Sequence, residues 1–486
     1  MILRDYQQHA IDGVRAAIRE GHQRVLLVAP TGAGKTVMFA YIASEALARG
    51  NQAVICAHRE ELIDQVSRTL TQFEVPHGFV AAGRKQESSL ITVASVQTLV
   101  NRLDSLQPAL IILDEAHHAV AGSWRRIINA YPSAVLVGVT ATPERLDGSG
   151  LGDIFQTMVE GPQVAELQER GFLSNTRYFG PCTVDPSQIA KRAGEYTTSG
   201  ALSALMPEGN IGKVTGEAIE EYKKHGRNMP AVVFCVSIGH AQHVAEEFCK
   251  AGFRWASLDS KMSKESRRQV VADLRSGALQ GVSSCDIISE GFDLPAASVA
   301  ILLRPTKSLG LYMQQVGRVL RTASGKEFAV IIDHVSNVGK MEDGQWKETH
   351  GPIEKHRFWS LDGKQRVKET IVPCKRCPEC YALNPVSVKF CIECGFEFPV
   401  EAKEQPKDTG IIAEIDKQAM VSKTTLGTDD WILSAKFNEV MRWARTEEQV
   451  KHVAKLRGYK DGWVHVIMEG REKYRRGMEA SAARKR

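Results

Sequence analysis

The sequence predicts an α/β protein with two tandem parallel-sheet domains, followed by a small cysteine-rich module and a helical tail. Two observations carry that fold class. Short, uniformly apolar runs alternate with helical patterns in two separate series up to about residue 340, as in parallel sheets covered on both faces. The length, 486 residues, exceeds what one hydrophobic core holds and suggests about three units at ~150 residues each. A composition of 43% hydrophobic and 24% charged residues, with 18 Pro against 40 Gly, excludes bulk disorder and collagen-like repeats. The longest apolar runs, 25–30 and 299–303, are strand-length and fall short of the ~18 residues of a membrane span. Met1 is followed almost at once by Arg4 and Asp5, so no secretory signal is expected and the expected location is cytoplasmic.

The elements follow in order. The first domain is placed at 1–155, with strands at 24–30, 53–58, 90–96, 110–114 and 135–140. A helix is expected over 36–49, stopped by Gly50. Gly, Pro, Ser and Thr accumulate over 156–210, which reads as a linker. The second domain is placed at 211–340, with strands at 231–237, 254–260, 281–286, 300–304 and 328–334. Helices at 238–251, 263–276 and 309–321 separate them. A connecting segment at 341–371, a cysteine module at 372–398, a charged linker at 399–430 and a tail at 431–486 complete the chain. In the tail, Thr446 to Gln449 form a capping box that opens a helix, and Gly458 closes it.

Charge is unevenly placed. The net charge is +5, but 431–486 holds 14 Lys+Arg against 7 Asp+Glu. A basic tail points to a polyanionic partner or simply to a solvated terminus. Trp431, Trp443, Tyr459, Trp463 and Tyr474 lie among those cations, as base-stacking groups or, more commonly, as the core of a small helical unit. The ten cysteines divide evenly. Cys56, Cys182, Cys235, Cys249 and Cys285 are scattered in apolar segments and read as reduced, buried thiols. Cys377, Cys380, Cys391 and Cys394 form C-x₂-C-x₁₀-C-x₂-C, the spacing that gathers four thiolates around structural Zn²⁺. Cys374 offers a second C-x₂-C pair with Cys377.

Ala29-Pro30-Thr31-Gly32-Ala33-Gly34-Lys35-Thr36 follows an apolar strand and opens a helix, the context of a phosphate-binding loop. Its glycines let backbone N–H groups curl around phosphate oxygens at a helix N-terminus. Lys35 is expected to reach the β- and γ-phosphates, and the Thr36 hydroxyl to ligate Mg²⁺. Asp114 and Glu115 end another buried strand, which brings both carboxylates to the carboxyl edge of the sheet. Asp114 is the expected second Mg²⁺ ligand, and Glu115 the group that orients and deprotonates a water.

A phosphate loop followed about eighty residues later by Asp114-Glu115-Ala116-His117 resembles the superfamily 2 helicases, and further motifs appear in order. Leu3 to Gln7 resembles the adenine-reading Q motif, and His58 to Leu62 resembles motif Ia. Thr140-Ala141-Thr142-Pro143 resembles motif III, Ser289 to Asp293 motif V, and Gln314 to Arg321 motif VI. The resemblance implies two RecA-like domains that bind ATP through Gln7, the loop and Gly291 and Asp293. It implies coupling through His117, Thr140, Thr142 and Gln314, and nucleic-acid contact at Arg59 and Ser95. It also implies that Arg318 and Arg321 reach the γ-phosphate from the second domain as arginine fingers. Asp-Glu-Ala-His with Gln314 leading motif VI looks closer to DNA-directed members, including restriction-enzyme motor subunits and RadD-like DNA-repair helicases, than to RNA-remodelling ones. Cys285 stands where many relatives carry Thr. Residues 457–463 resemble a tail motif of phage-type helicases. The expected cofactors are ATP, Mg²⁺ and Zn²⁺. The expected partners are nucleic acid, DNA favoured over RNA, and a repair or replication protein, with no membrane. Three readings stay open: a helicase, a duplex-tracking translocase that displaces proteins, and an ATP-gated recruitment module.

Overall fold

The computed structural model describes residues 3–85, 89–145, 148–180, 189, 191–192, 195–205, 211–285, 297–342, 345–363, 371–372, 374–376, 383–385, 389–390, 396–398, 413–415, 429–434, 440, 444, 446–459, 464–465 and 468. The chain divides into two units, 1–417 and 418–486.

The larger unit holds both parallel sheets. The first is built from α1 (Asp5–Arg19), β1 (Arg24–Val28), α2 (Lys35–Ala48), β2 (Ala53–Ala57), α3 (Glu60–Gln72), β3 (Gly78–Val80), β4 (Ile91–Ser95), α4 (Val96–Leu99), β5 (Leu110–Asp114), α5 (Gly122–Ala130), β6 (Val135–Thr140) and β7 (Thr157–Glu160). Its order is β3-β4-β2-β5-β6-β1-β7, parallel throughout. Every residue of β2 and β5 is buried, which is why these strands read as unbroken apolar runs. On one face Trp124, Ile127 and Ile128 of α5 pack with Leu26, Val54, Ile111 and Leu113.

The second sheet uses α6 (Val164–Glu169), β8 (Asn175–Gly180), β9 (Lys191–Arg192), β10 (Glu195–Tyr196), α7 (Thr198–Leu205), α8 (Ile211–Glu221), β11 (Ala231–Phe234), α9 (Ile238–Lys250), β12 (Trp255–Leu258), α10 (Lys264–Ser276), β13 (Gly281–Ser284), β14 (Val299–Leu302), α11 (Leu309–Gly317) and β15 (Phe328–Asp333). Strands β12-β13-β11-β14-β15-β8 run parallel. β9 and β10 form a separate antiparallel pair. Tyr222, Phe248, Phe253 and Trp255 stack edge-to-face and face-to-face in the second core.

Three expectations need correction. The stretch 156–210 is not simply a linker. β7 adds to the first sheet beside β1, and β8 adds to the second beside β15. Both strands mix polar with apolar residues; β7 is an edge strand and needs no second buried face, and β8 is the last of the parallel strands, flanked by the antiparallel strand Ala413–Ile415. The helix expected over 309–321 ends at Gly317. Cys249 is exposed, whereas Cys56, Cys235 and Cys285 are buried. The rotation of α9 turns Cys249 to solvent while Val244 and Phe248 face the core.

The connecting segment makes β16 (Gly339–Glu342) and β17 (Gln345–Glu348), an antiparallel pair. It then leaves the second domain and reaches the first. Tyr178 Oη of β8 still ties Glu354 to the second sheet (2.9 Å), whereas Gly152 N–H donates to the Leu361 carbonyl (2.9 Å) and Trp359 and Leu361 pack against the first core. β18 (Ile371–Val372) then pairs with β17. Short strands β19 (Cys374–Arg376), β20 (Leu383–Pro385) and β21 (Ala413–Ile415) extend the second sheet beyond β8. The expected zinc ligands Cys377, Cys380, Cys391 and Cys394 lie outside the described residues.

In the smaller unit, α12 (Asp429–Ser434) and α13 (Glu447–Arg457) pack around Ile432, Val440, Val450 and Val453. The expected capping box is present at Thr446 and Gln449, and Gly458 closes α13 with φ +68°. Tyr459 packs on this small core. Among the described residues, no helix is long and apolar enough to cross a membrane.

Candidate active site

The phosphate loop connects β1 to α2 as its sequence requires. Gly32 and Gly34 have φ of +90° and +79°, backbone that favours glycine. A Cβ on Gly34 would lie 2.5 Å from Gln7 Nε2, so the loop and the Q-motif glutamine touch only because that position is bare. Gln7 Nε2 and Tyr6 Oη both donate to the Ala33 carbonyl at 3.1 Å. The Arg4 N–H donates to Gln7 Oε1 (3.0 Å), which fixes the amide. Ala29 N–H donates to the Thr140 carbonyl (3.0 Å), tying the loop to the motif III strand. The Lys35 ammonium donates to the Ala29 and Pro30 carbonyls at 3.2 and 3.4 Å. These are long bonds, readily exchanged for stronger ones to phosphate.

Asp114 and Glu115 are 5% and 7% exposed at the end of β5. Burial, reinforced by Glu115, pushes the Asp114 carboxyl up to about 7. Burial also pulls Lys35 down, against the two carboxylates, which hold it up. Glu115 adopts φ +51°, a left-handed backbone that a non-glycine residue holds only under strain. That turn aims its carboxylate at His117, with Oε2 3.4 Å from Nδ1. His117 Nδ1 lies 3.3 Å from Thr140 Oγ1, which donates to the Thr142 carbonyl (2.8 Å). The acid pair and motif III thus form one polar chain. Gln65 Nε2 donates to Thr36 Oγ1 (3.2 Å).

The second domain supplies the opposite wall. A Cβ on Gly317 would lie 2.6 Å from Thr31 Cβ, and one on Gly310 would lie 2.8 Å from Thr142 Oγ1. Gln314 and Arg318 are 4% and 6% exposed. The charges of Arg318 and Arg321 both act on Lys35, and that of Arg318 also acts on Asp114. Farther along the cleft, Lys264, Arg267 and Arg268 of α10 pair with Glu60, Glu61 and Asp64 of α3. The more exposed pairs, Lys264–Glu60 and Arg268–Asp64, contribute ~0–1 kcal/mol each.

Residues 7, 29–36, 114, 115, 117, 140, 142, 318 and 321 therefore converge on one cleft, and Gln314 is buried on the helix that Arg318 caps. Arg59 and Ser95 lie farther along the same carboxyl edge, on the strands beyond β5. They follow or end the neighbouring strands β2 and β4, and Gln97 joins them by accepting from Ser95 Oγ (2.7 Å) and donating to the His58 carbonyl (3.0 Å). Gly291 and Asp293 lie outside the described residues. Sequence reasoning passed over Tyr6, Gln65 and Leu173, whose side chain would meet a Cβ on Gly32 at 2.7 Å. The aromatic in Tyr6-Gln7 could have signalled the first; nothing local marks the other two.

Comparison with known proteins agrees with this geometry. Residues 1–145 match the family described as type III restriction enzyme, res subunit, and residues 214–323 match the helicase conserved C-terminal domain. A 51.5 kDa protein of Lactococcus phage (isolate 7-9) is 34% identical over 386 residues, covering 78% of this chain and 79% of the phage protein. A Saccharomyces cerevisiae protein that carries the name of an ATP-dependent helicase, IRC3, is 31% identical over 361 residues. That match covers 70% of this chain, which spans about half (52%) of the yeast protein. The DNA 3'-5' translocase XPB2 of Sulfurisphaera tokodaii is 24% identical over 371 residues, covering 66% of this chain and 78% of XPB2. Two matched domain families over the two sheets, with relatives along most of the chain, establish that it belongs to the superfamily 2 helicases.

Proposed function

We propose that this ATPase is a DNA-dependent motor in which hydrolysis at the interdomain cleft drives relative movement of the two α/β domains along nucleic acid. The observation that carries the reading is the meeting of two half-sites: the charges of Arg318 and Arg321 act on Lys35 across a cleft where Gly317 abuts Thr31. In this reading the loop 29–36 and Gln7 bind ATP, with Lys35 on the β- and γ-phosphates. Thr36 and Asp114 would hold Mg²⁺, and the donor set fits: a hydroxyl at a helix N-terminus beside a buried carboxyl pair whose mutual repulsion a dication relieves. When bound, the ion screens phosphate charge. Glu115 accepts the proton of the attacking water, and His117 steadies its carboxylate. Arg318 and Arg321 stabilise charge on the transferring phosphoryl group, so the cleft relaxes once that group leaves.

DNA rather than RNA is favoured by the relative named for DNA translocation. Arg59 and Ser95, at the carboxyl ends of adjacent strands, are assigned to its phosphates, a sequence-independent and salt-sensitive contact. A role in repair, recombination or replication belongs to the same reading. So does a structural Zn²⁺ on Cys377, Cys380, Cys391 and Cys394, which rests on their spacing. The test is ATPase rate with single-stranded DNA, duplex DNA or RNA, alongside folded Lys35→Ala. Stimulation by DNA and loss of turnover in the variant are expected. Normal turnover in Lys35→Ala would refute the site, and stimulation by RNA alone would refute the substrate. Strand-displacement and protein-displacement assays separate a helicase from a duplex translocase.

A further inference from the structure

We propose that Lys326 and Glu195 are positioning residues for hydrolysis, holding the two ends of the segment that carries Arg318 and Arg321. The assignment rests on the reading of those arginines as the groups that stabilise the phosphoryl transition state.

The segment needs such support. α11 has nine residues, Leu309–Gly317, with Arg318 as its C-cap residue and Arg321 three positions on. A helix this short has little stability of its own, and its last four carbonyls find no partner within it. Whatever satisfies its ends therefore decides where the two guanidinium groups point.

One ammonium serves the C-terminal end. Lys326 Nζ donates to the Val319 carbonyl, to the Arg321 carbonyl (2.8 Å) and to the Ala297 carbonyl (2.9 Å). Two of these belong to the turn that bears the arginines, and the third lies at the entry to β14. All three donors of the group are used, and the turn is fastened to the sheet. Burial, with the charge of Arg321 added, pulls Lys326 down to about 8, so a cation is kept beside another cation because its hydrogen bonds are needed there. Leu320 accepts from the Ser174 N–H (2.7 Å), and Leu173 and Arg321 form an isolated β-bridge. The same turn is thus anchored to the chain between the domains.

One carboxylate serves the N-terminal end. Glu195 of β10 accepts from Thr306 Oγ1 (2.6 Å), the Lys307 N–H (2.8 Å) and the Ser308 N–H (3.1 Å). Ser308 is the N-cap residue and accepts from the Leu311 N–H (3.2 Å). An anion before the first turn and a cation after the last both complement the helix dipole. The two residues lie outside every motif named above, and they fix α11 as a strut whose far end presents Arg318.

The test is a double-mutant cycle. Lys326→Met keeps the bulk of the side chain and removes its donors. Misplacing a catalytic group by about 1 Å costs on the order of 10²-fold in rate. Lys326→Met should therefore lower kcat for ATP by about that factor, leave KM and fluorescent-nucleotide affinity within a few-fold, and be partly rescued by Lys326→Arg. In an Arg318→Ala background the same substitution should cost almost nothing further, because the group it positions is gone. A merely structural role would cost the same factor in both backgrounds, and that result overturns the proposal. Near-normal kcat in Lys326→Met with a severe loss in Arg318→Ala overturns it too, while leaving the arginine reading intact. Near-normal kcat in Arg318→Ala overturns both. If Lys326→Met does not fold, Glu195→Gln carries the same cycle with the same outcomes.

Discussion

Replacing Gly317 with alanine adds one methyl group where the motif VI turn faces the phosphate loop. Its Cβ would lie 2.6 Å from Thr31 Cβ, 2.9 Å from Cγ2 and 3.1 Å from Oγ1. Carbon atoms rest about 3.5–4.0 Å apart, so the motif VI turn has to retreat from the phosphate loop by about 1 Å. Thr31 cannot turn aside, because the nearest atom is its own Cβ, which no rotamer moves. A 1 Å retreat of the arginine pair predicts a loss on the order of 10²-fold in hydrolysis. Gly317 closes α11 at a φ outside the left-handed region, and alanine is favoured over glycine in helices by ~1 kcal/mol. The thermal midpoint should therefore hold or rise while activity falls, a combination that separates blocked closure from misfolding. The assay is single-turnover hydrolysis at saturating ATP, with nucleotide affinity and thermal midpoint measured on the same preparation. Gly239→Ala on α9, where a Cβ meets nothing within 4 Å, is the control. Hydrolysis within a few-fold of the parent protein would refute the view that catalysis needs this contact.

Other expectations concern protons, metal and thiols. Asp114 has its pKa raised from 3.8 to about 7 by burial and Glu115, so the folded, nucleotide-free chain binds this proton more tightly than the unfolded chain does. That contribution is complete below the unfolded value and is lost as pH rises through about 7. In Mg²⁺-free thermal melts, Asp114→Asn should gain stability relative to the parent between pH 4 and 8, and a constant gap would rule the coupling out. Elemental analysis should find one zinc ion per chain that Cys391→Ser loses; loss from Cys374→Ser with retention in Cys380→Ser would reassign a ligand. Burial pushes the Cys56 thiol up to about 12, whereas Cys249 is exposed. Brief alkylation at neutral pH followed by peptide mapping should mark Cys249 and spare Cys56, and equal labelling would contradict the packing.

Central strands were legible because burial on both faces leaves no room for polar residues. The expected 110–114 and 135–140 match β5 and β6, and the other central strands differ by one to three residues at an end. β7 and β8 were not legible as strands, since an edge or mixed strand such as Thr157–Glu160 carries no apolar run. Where chemistry fixes residue type, the expected residues come together: Lys35, Asp114, Glu115 and Arg318 meet in one cleft. What held them there was harder to see. Lys326 and Glu195 act through backbone carbonyls and N–H groups, which any sequence supplies, so no motif marks them. Cys249 sat in an apolar segment, but only the rotation of α9 says which side of the helix it occupies.

The excursion of the connecting segment bears on how the two domains can move. A body attached at one point keeps three rotations; attached at two, it keeps only rotation about the line between them. The second domain meets the first through the chain between β7 and β8, and again where Leu361 accepts from Gly152 and Trp359 enters the first core. If the contacts of α10 with α3 and of α11 with the phosphate loop open while both attachments stay in place, twisting and sliding are restricted and one angle describes how far the cleft is open. In the motor proposed above, ATP would then act on a single coordinate, and each turnover would advance the same stroke.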